Sequence, residues 1–257
     1  MFFFDTHLHL DALEFRDDYA EVWQQAQQQG VVYAANAGAY PQNWDFILEL
    51  ATRLDNLLPC IGIHPMVVNE VQSTDLDRMR THLKAGRFVA IGEIGLDPVF
   101  KECPLDRQEA LFRHQLELGL EFNLPLCLHI RHLHQRVIQI LDSYSKQSWH
   151  GIAHCFSGSP ELAVQFVQRG FLISLAGPLC NPNAKKLHRI AREIPLDRLV
   201  VETDSPDLPP RHLNVTRNEP AFVVEVVKAL AEIRQQKLEV VAEAVFRNAC
   251  ELFGVMV

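Results

Sequence analysis

Near its start the chain reads Phe2-Phe3-Phe4-Asp5-Thr6-His7-Leu8-His9-Leu10-Asp11, a short apolar run that breaks into alternating polar and apolar residues. A first strand feeding an open, doubly wound nucleotide-binding sheet would pass into a glycine-rich turn, because only glycine lets the backbone close around a pyrophosphate. No G-x-G-x-x-G follows this run; two imidazoles do. The stretch therefore argues for a closed parallel barrel over an open sheet, and the rest of the chain supplies the test.

Working outward, the same alternation of a short β-rich run and a longer amphipathic stretch repeats to the end. Strands are expected at 2–5, 31–35, 57–63, 88–94, 124–130, 151–155, 171–175 and 199–202. Helices are expected at 17–29, around Trp44, Ile47, Leu48 and Ala51, then at 75–85, 105–122, 132–145, 160–169, 183–193, 220–235 and 239–253. Eight β–α units joined by right-handed crossovers are the number that closes into a barrel of about 250 residues, and this chain has 257. No Gly-, Ser- or Pro-rich linker divides it. The expected fold class is α/β, a TIM-like (β/α)8 barrel, with residues 1–257 as one domain.

Composition narrows the class of function. The chain is 48% hydrophobic and 22% charged, with 12 Gly and 14 Pro, which excludes collagen-like and disordered polymers. Lys and Arg number 24 against 32 Asp and Glu, a net charge of −8. Nucleic acid cannot be held by a broad basic surface on such a chain, so any phosphate substrate needs local positive charge, of which metal ions are one source. No run approaches the roughly 18 apolar residues of a membrane span, and Met1-Phe2-Phe3-Phe4-Asp5 lacks the basic start of a signal peptide. Cys60, Cys103, Cys127, Cys155, Cys180 and Cys250 contain no C-x-x-C pair and read as small buried hydrophobes in a reducing cytosol. A cytoplasmic protein with no membrane association and no obligate protein partner is the expectation.

In such a barrel the chemistry sits at the C-terminal ends of the strands. The first strand ends in His7-Leu8-His9, whose alternate side chains share a face. A carboxylate, Glu93, interrupts the apolar run Val89-Ala90-Ile91-Gly92-Glu93-Ile94-Gly95; buried alone it would be costly, so it needs a cationic partner. Later strands end in His129, in His154, and in Glu202-Thr203-Asp204. Any one of these is more often a satisfied core residue or a cap than a ligand, but together they recur at corresponding positions. Four imidazoles and two carboxylates exceed one tetrahedral ion and fit two divalent ions bridged by a carboxylate, for which Glu93 is best placed. Asp204 could ligate one ion and take a proton from the attacking water. Metal-assisted hydrolysis follows, with Glu93 and Asp204 as the catalytic candidates.

The chain resembles the TatD family of metal-dependent hydrolases and is similar to its bacterial YjjV branch. The matching motifs are Asp5 through Asp11, Gly62-Ile63-His64-Pro65, Ala90 through Asp97, Leu124-Pro125 through His129-Ile130-Arg131, and His154 through Ser159. Glu202 through Pro206, Arg217-Asn218-Glu219-Pro220 and Phe253-Gly254 complete them. The resemblance covers nearly the whole chain in order. It implies a TIM-like barrel of the metal-dependent hydrolase type and assigns His7, His9, Glu93 and Asp204 to one ion and Glu93, His129 and His154 to the other. It also implies a deoxyribonuclease with DNA, as single strands or ends, for its substrate. Two ions per subunit are expected, Mg, Mn or Zn; imidazole-rich ligation suits zinc or manganese at least as well as magnesium. Two departures bear on substrate choice: Pro98-Val99-Phe100 stands where many family nucleases carry tyrosine, and His132 where the family usually has an acid.

Weaker signals remain. His64, Arg131, Arg217, Asn218 and Glu219 are candidates to bind substrate, although Arg217 and Glu219 serve equally well as pins for the last long loop. Glu202 reads as an orienting group, Cys155 as packing, and Lys185-Lys186 as a solvated helix face. Two other functions compete with a nuclease. One is hydrolysis of a small ester or amide, an aminoacyl ester on RNA among them, which a panel of phosphodiester and carboxylic esters would separate. The other is a metal-dependent binding protein without turnover, which the complete ligand set opposes.

Overall fold

The computed structural model describes residues 1–144 and 147–256. Eight parallel strands pair in sequential order: β1 Phe3–Leu8, β2 Val31–Asn36, β3 Leu57–Ile61, β4 Ala90–Leu96, β5 Leu126–Ile130, β6 Gly151–Ala153, β7 Phe171–Leu175 and β8 Leu199–Val201. The ring nearly closes where β8 returns to β1: the Asp204 amide donates to His7 O at 2.9 Å and the Thr6 hydroxyl to Val201 O at 3.0 Å. Helices α1 Tyr19–Gln28, α2 Trp44–Arg53, α3 Ser73–Lys84, α4 Leu105–Phe122, α5 His134–Asp142, α6 Pro160–Gln168, α7 Lys185–Glu193, α8 Val223–Arg234 and α9 Leu238–Phe253 cover the outside and one end. This is the expected TIM-like barrel.

Element boundaries moved for local reasons. The third strand stops at Ile61, because Gly62 closes onto β4 and His64 caps a 3-10 turn at Pro65–Val67. The stretch expected to begin a helix at 220 opens instead with a 3-10 turn, Pro220–Phe222, before α8. The expected end of the fifth helix at Ser145 lies outside the described residues. Elsewhere helix signals are local: Ser159 caps α6 by accepting from the Leu162 amide at 3.3 Å, with Pro160 in the first helical position where no amide donor is needed.

Two apolar layers result. The larger lies between the strands and the surrounding helices, around Trp23, Trp44, Ile91, Phe112, Phe166 and Phe171. The smaller lies inside the barrel and takes one residue from every strand: Phe4, Ala35, Cys60, Ala90, Cys127, Ile152, Leu172 and Val200, closed from below by Phe246, Ala249, Cys250 and Phe253 of α9. Side chains one step further along the strands therefore line a cup above an apolar floor.

Alternation carries three polar residues straight into that cup. Cys127, Ile152 and Val200 face inward, and two residues on stand His129, His154 and Glu202. His7 and Glu93 do not follow this rule. Phe4 and Ala90 point inward, so strict alternation would turn His7 outward, being an odd number of residues on, and Glu93 likewise. Both strands carry one extra residue at this point: Asp5 and Leu8 pair with Ala34 and Asn36, while Ile91 and Ile94 pair with Leu126 and Leu128. A bulge of this kind reverses the phase of the strand, and Leu8 and Ile94 duly join the outer core.

Candidate metal centre

Glu93 lies at the middle of the cup and is 4% exposed. Its amide donates to Gly38 O at 2.8 Å, and the Gly38 amide donates to Gly92 O at 2.9 Å, which locks β4 against the segment after β2. Two glycines make this approach possible. A Cβ on Gly62 would lie 2.6 Å from Glu93 N, and one on Gly92 would lie 2.3 Å from Cys127 Cβ. The carboxylate then faces two groups of imidazoles. Oε2 lies 3.3 Å from His9 Nε2 and 3.4 Å from His7 Nε2. Oε1 lies 2.5 Å from His129 Nδ1, 3.1 Å from His154 Nε2 and 3.5 Å from His64 Nε2. Asp204, in a left-handed backbone conformation at φ 61°, brings Oδ1 to 3.6 Å from His7 Nε2 and 3.8 Å from His9 Nε2.

Each imidazole is steered by a bond on its far side. His9 Nδ1 donates to Ala37 O at 3.1 Å, a carbonyl that can only accept, so the Nε2 lone pair faces the cup. His154 Nδ1 lies 3.0 Å from Glu202 Oε1, and His129 Nε2 lies 3.0 Å from Asp97 Oδ2, again acceptors when ionised. His7 Nδ1 rests 2.9 Å from the Cys127 thiol. Glu202 is buried and also accepts from the Cys155 amide and the Ser174 hydroxyl, both at 2.5 Å. Asp5, beneath His7, accepts from the Thr203 amide at 2.9 Å and from the Thr203 hydroxyl, tying β1 to the loop that carries Asp204.

The electrostatics follow from burial opposed by neighbours. Burial alone would raise the Glu93 carboxyl, yet the surrounding imidazoles of His154, His64, His129 and His7 hold it well below its usual range. Asp204 has no such surplus: burial, with the charge of Glu93 adding, pushes it up to about 7. Burial pulls His7 and His64 each down to about 4. His9 resists burial through its bond to Glu93 and the charges of Glu93, Asp204 and Asp11, and rises to about 9. His154 also rises, because Glu202, Glu93 and Asp204 outweigh the loss of water. A cup so dense in carboxylates and imidazoles is a candidate cation site, which ions would enter by displacing protons.

The donor set fits divalent ions. His7 Nε2 and His9 Nε2 are 3.1 Å apart, and two nitrogens that share one ion at about 2.1 Å lie about 3 Å or slightly more apart. His7, His9 and Asp204 form one group of converging ligand atoms, Glu93 and His129 belong to a second, and His154 converges with His7 and Glu202 in a third while lying 3.1 Å from Glu93. All six residues expected to ligate metal are thus brought together. His64 joins the second group geometrically. Arg131 is exposed just beyond β5, where its charge helps to lower the Asp97 carboxyl. His132 is exposed beside it, with φ at 59°.

The polar groups of Arg217, Asn218 and Glu219 are engaged by the protein itself. The Arg217 guanidinium pairs with Asp18 at 2.7 Å, with Glu219 at 2.8 Å and with Glu14 O at 2.7 Å, and stacks 4.8 Å above the Phe15 ring. The buried Asn218 amide donates to Thr203 O at 2.8 Å and Asp207 O at 2.7 Å. These three clasp the loop after β8 to the start of the chain. Sequence reasoning missed two residues that touch the imidazoles, Asp97 and Cys127. Cys127 was legible as the inward residue two before His129; Asp97 sits at the end of β4 and carried no periodic signal. All six cysteines are free, and among the described residues no helix is long and apolar enough to cross a membrane.

Comparison with known proteins agrees with this fold. A family model described as TatD related DNase matches residues 4–254. A Bacillus subtilis relative, the uncharacterized metal-dependent hydrolase YabD, is 35% identical over 252 residues, covering 98% of this chain and 99% of its own. The crystal structure of YjjV, a TatD homologue from Escherichia coli K12, aligns with a TM-score of 0.94 at 32% identity, covering 99% of this chain and 98% of that one. A Pantoea ananatis relative named as a 3'-5' ssDNA/RNA exonuclease TatD is 29% identical over 259 residues, covering 98% of this chain and all of its own.

Proposed function

This chain belongs to the TatD-related DNase family of metal-dependent hydrolases, and on that premise we propose that it cleaves phosphodiester bonds of single-stranded DNA or of DNA ends, using two divalent ions held by His7, His9, Glu93, His129, His154 and Asp204. The observation that carries this reading is the posture of Glu93, with Oε2 within 3.4 Å of two imidazoles and Oε1 within 3.1 Å of two others. One carboxylate presented to two sets of imidazoles would serve as a ligand common to two ions. Bound there, the ions supply Lewis acidity and lower the pKa of water.

The side chains account for the rest. Asp204, whose carboxylate faces His7 and His9 at the edge of the cup, is the group placed to accept a proton from the attacking water. Water adds to phosphorus, the bond to the leaving sugar oxygen breaks, and that oxygen leaves with a proton, so that one diester and one water give a monoester and an alcohol. Asp97 and Glu202 hold His129 and His154 in the orientation that keeps a lone pair on the cup. Arg131 at the rim is the cation best placed to meet a phosphate, which answers the chain's overall acidity. The ssDNA/RNA exonuclease named among its relatives supports nucleic acid over a small ester.

The test uses metal-stripped protein, repleted separately with Mg, Mn and Zn, acting on single-stranded oligonucleotides labelled at either end. Laddering restored by metal and reduced at least about a hundredfold in Asp204→Ala is expected, with the surviving label giving the polarity. Two bound ions per chain without laddering, alongside turnover of a carboxylic ester, would replace this reading with that of a small-ester hydrolase.

A further inference from the structure

The bonds behind four of the five clustered histidines sort them into two kinds; His7, backed by the Cys127 thiol, fits either. His9 has an obligate acceptor behind it, the Ala37 carbonyl, and His129 and His154 have carboxylates. A proton on the far nitrogen leaves a lone pair on the near one, as a metal ligand requires. His64 is built the opposite way. It follows β3 and caps the 3-10 turn at Pro65–Val67, where its Nδ1 accepts from the Met66 backbone amide at 3.1 Å. A backbone N–H always carries its proton, so Nδ1 must present a lone pair and the ring's single proton is on Nε2. That N–H is the atom turned toward the cup, 3.5 Å from Glu93 Oε1.

The ring cannot easily turn over to exchange its two nitrogens. It is 4% exposed, packs edge-on against Phe100 and His129 with centroids 5.8 and 4.3 Å away, and its backbone amide is tied to Ala39 O at 3.0 Å. At 3.5 Å the contact with Glu93 is long for an N–H···O bond, so the donor retains capacity for a second acceptor. The geometry points to His64 as a fixed, neutral hydrogen-bond donor to a phosphoryl oxygen of the substrate, and not as a ligand, although its ring nitrogen lies among ligand atoms. Such a donor, held in advance where negative charge grows, favours the transition state without transferring a proton. The assignment of the acceptor rests on the phosphodiesterase reading; that of the tautomer does not.

The experiment has parts that fail separately. Nitrogen-detected NMR of the metal-free protein, labelled in its histidine rings, should find His64 protonated at Nε2 and bare at Nδ1; a proton at Nδ1 overturns the proposal outright. His64→Phe and His64→Gln are then loaded with Mn and their metal content measured. Two ions per chain with affinity within about twofold of the parent are expected in both, and loss of an ion in both would make His64 a ligand. Inorganic phosphate binding to the Mn-loaded protein should weaken about tenfold or more in His64→Phe and less in His64→Gln, whose amide restores a donor. On an oligonucleotide, kcat of His64→Phe should fall about a hundredfold with little change in KM, and unchanged phosphate affinity together with unchanged kcat would sink the proposal. If the parent cleaves no oligonucleotide, the nuclease reading fails, while the tautomer, the metal count and the phosphate affinity still decide the role of His64. Should His64→Phe not fold, the NMR result and His64→Gln decide alone.

Discussion

Glu202→Gln isolates the contribution of one buried charge to the metal centre. In the parent, Glu202 is fully buried and accepts from three donors: His154 Nδ1 at 3.0 Å, the Cys155 amide at 2.5 Å and the Ser174 hydroxyl at 2.5 Å. Glutamine keeps the shape. Its carbonyl can still receive His154 and Cys155, which share one oxygen in the parent, and its amide can turn to Ser174, whose hydroxyl is free to become the acceptor. The fold should therefore survive, and what disappears is the negative charge that makes the His154 imidazole more basic. Removing a carboxylate from behind a ligating histidine costs about 10- to 100-fold in metal affinity, or about 1.4–2.7 kcal/mol. Because a ligand stabilises the folded state by RT ln(1 + [L]/Kd), the same 1.4–2.7 kcal/mol or so is lost from metal-induced stabilisation at saturating ion. For a chain of this size that is roughly 3–11 °C less metal-induced rise in Tm. Calorimetric titration with Mn and melting curves with and without metal would measure both. An unchanged Kd and an unchanged metal-induced rise would refute the reasoning, since His154 would then not be a ligand that Glu202 supports.

Other expectations follow from the same structure. With His9 raised to about 9 and Asp204 to about 7 in the metal-free protein, ions must displace protons at neutral pH. Metal affinity should therefore rise with pH by about tenfold per unit for each proton released, and titration in buffers of different ionisation enthalpy counts those protons; zero release would contradict the assignment of His9 as a ligand. His134 is 5% exposed, its Nε2 has no hydrogen-bond partner among the described residues, and burial together with the charges of Lys186 and His132 pulls it down to about 4. Its folded-state value lies below the unfolded one, so its stabilisation is complete above about 6.5 and is lost as pH falls toward 4, by up to about 3 kcal/mol. The His134→Phe variant should lose less stability than the parent between those two limits in denaturant titrations, and identical acid slopes would count against it. Arg217→Met, which dissolves the clasp to Asp18, Glu219 and Glu14, should lower stability by about 1–2 kcal/mol while metal affinity stays within about twofold. An oligonucleotide KM raised tenfold at unchanged Tm would instead give Arg217 the role of substrate contact.

Much of this architecture was legible in order along the chain, because each barrel strand is a local apolar run and each helix a local amphipathic one. His129, His154 and Glu202 were also legible by position, standing two residues above the inward floor residues Cys127, Ile152 and Val200. His7 and Glu93 were legible only by chemical type. Their inward aim depends on an extra residue in β1 and in β4, and no periodicity announces a bulge before the neighbouring strand is in register. Outer contacts were hidden for a related reason. Cys127 meets His7 from 120 residues away and Asp97 meets His129 from 32, so neither partnership leaves a trace in spacing. Arg217 left two readings open for the same reason: spacing favours neither a phosphate contact nor a loop pin, because Asp18, which lies beside it, is 199 residues earlier.

The apolar floor beneath the metal ligands makes the barrel a cul-de-sac. Among the described residues, eight from the strands and four from α9 fill the axis with a buried apolar cluster, so the mouth serves as both entrance and exit. A tunnel lets a polymer be drawn in at one side while fragments leave at the other. Here, on the reading proposed above, every fragment would have to pass the strand that delivered it. For a polymer substrate this favours a terminus over an interior stretch, since an end enters a dead-end well without the sharp bend that a continuous strand would have to make. On the phosphodiesterase reading it would also set release of the small product against advance of the remaining chain, so that traffic at one doorway, rather than bond cleavage alone, would govern how many residues are removed in a single encounter.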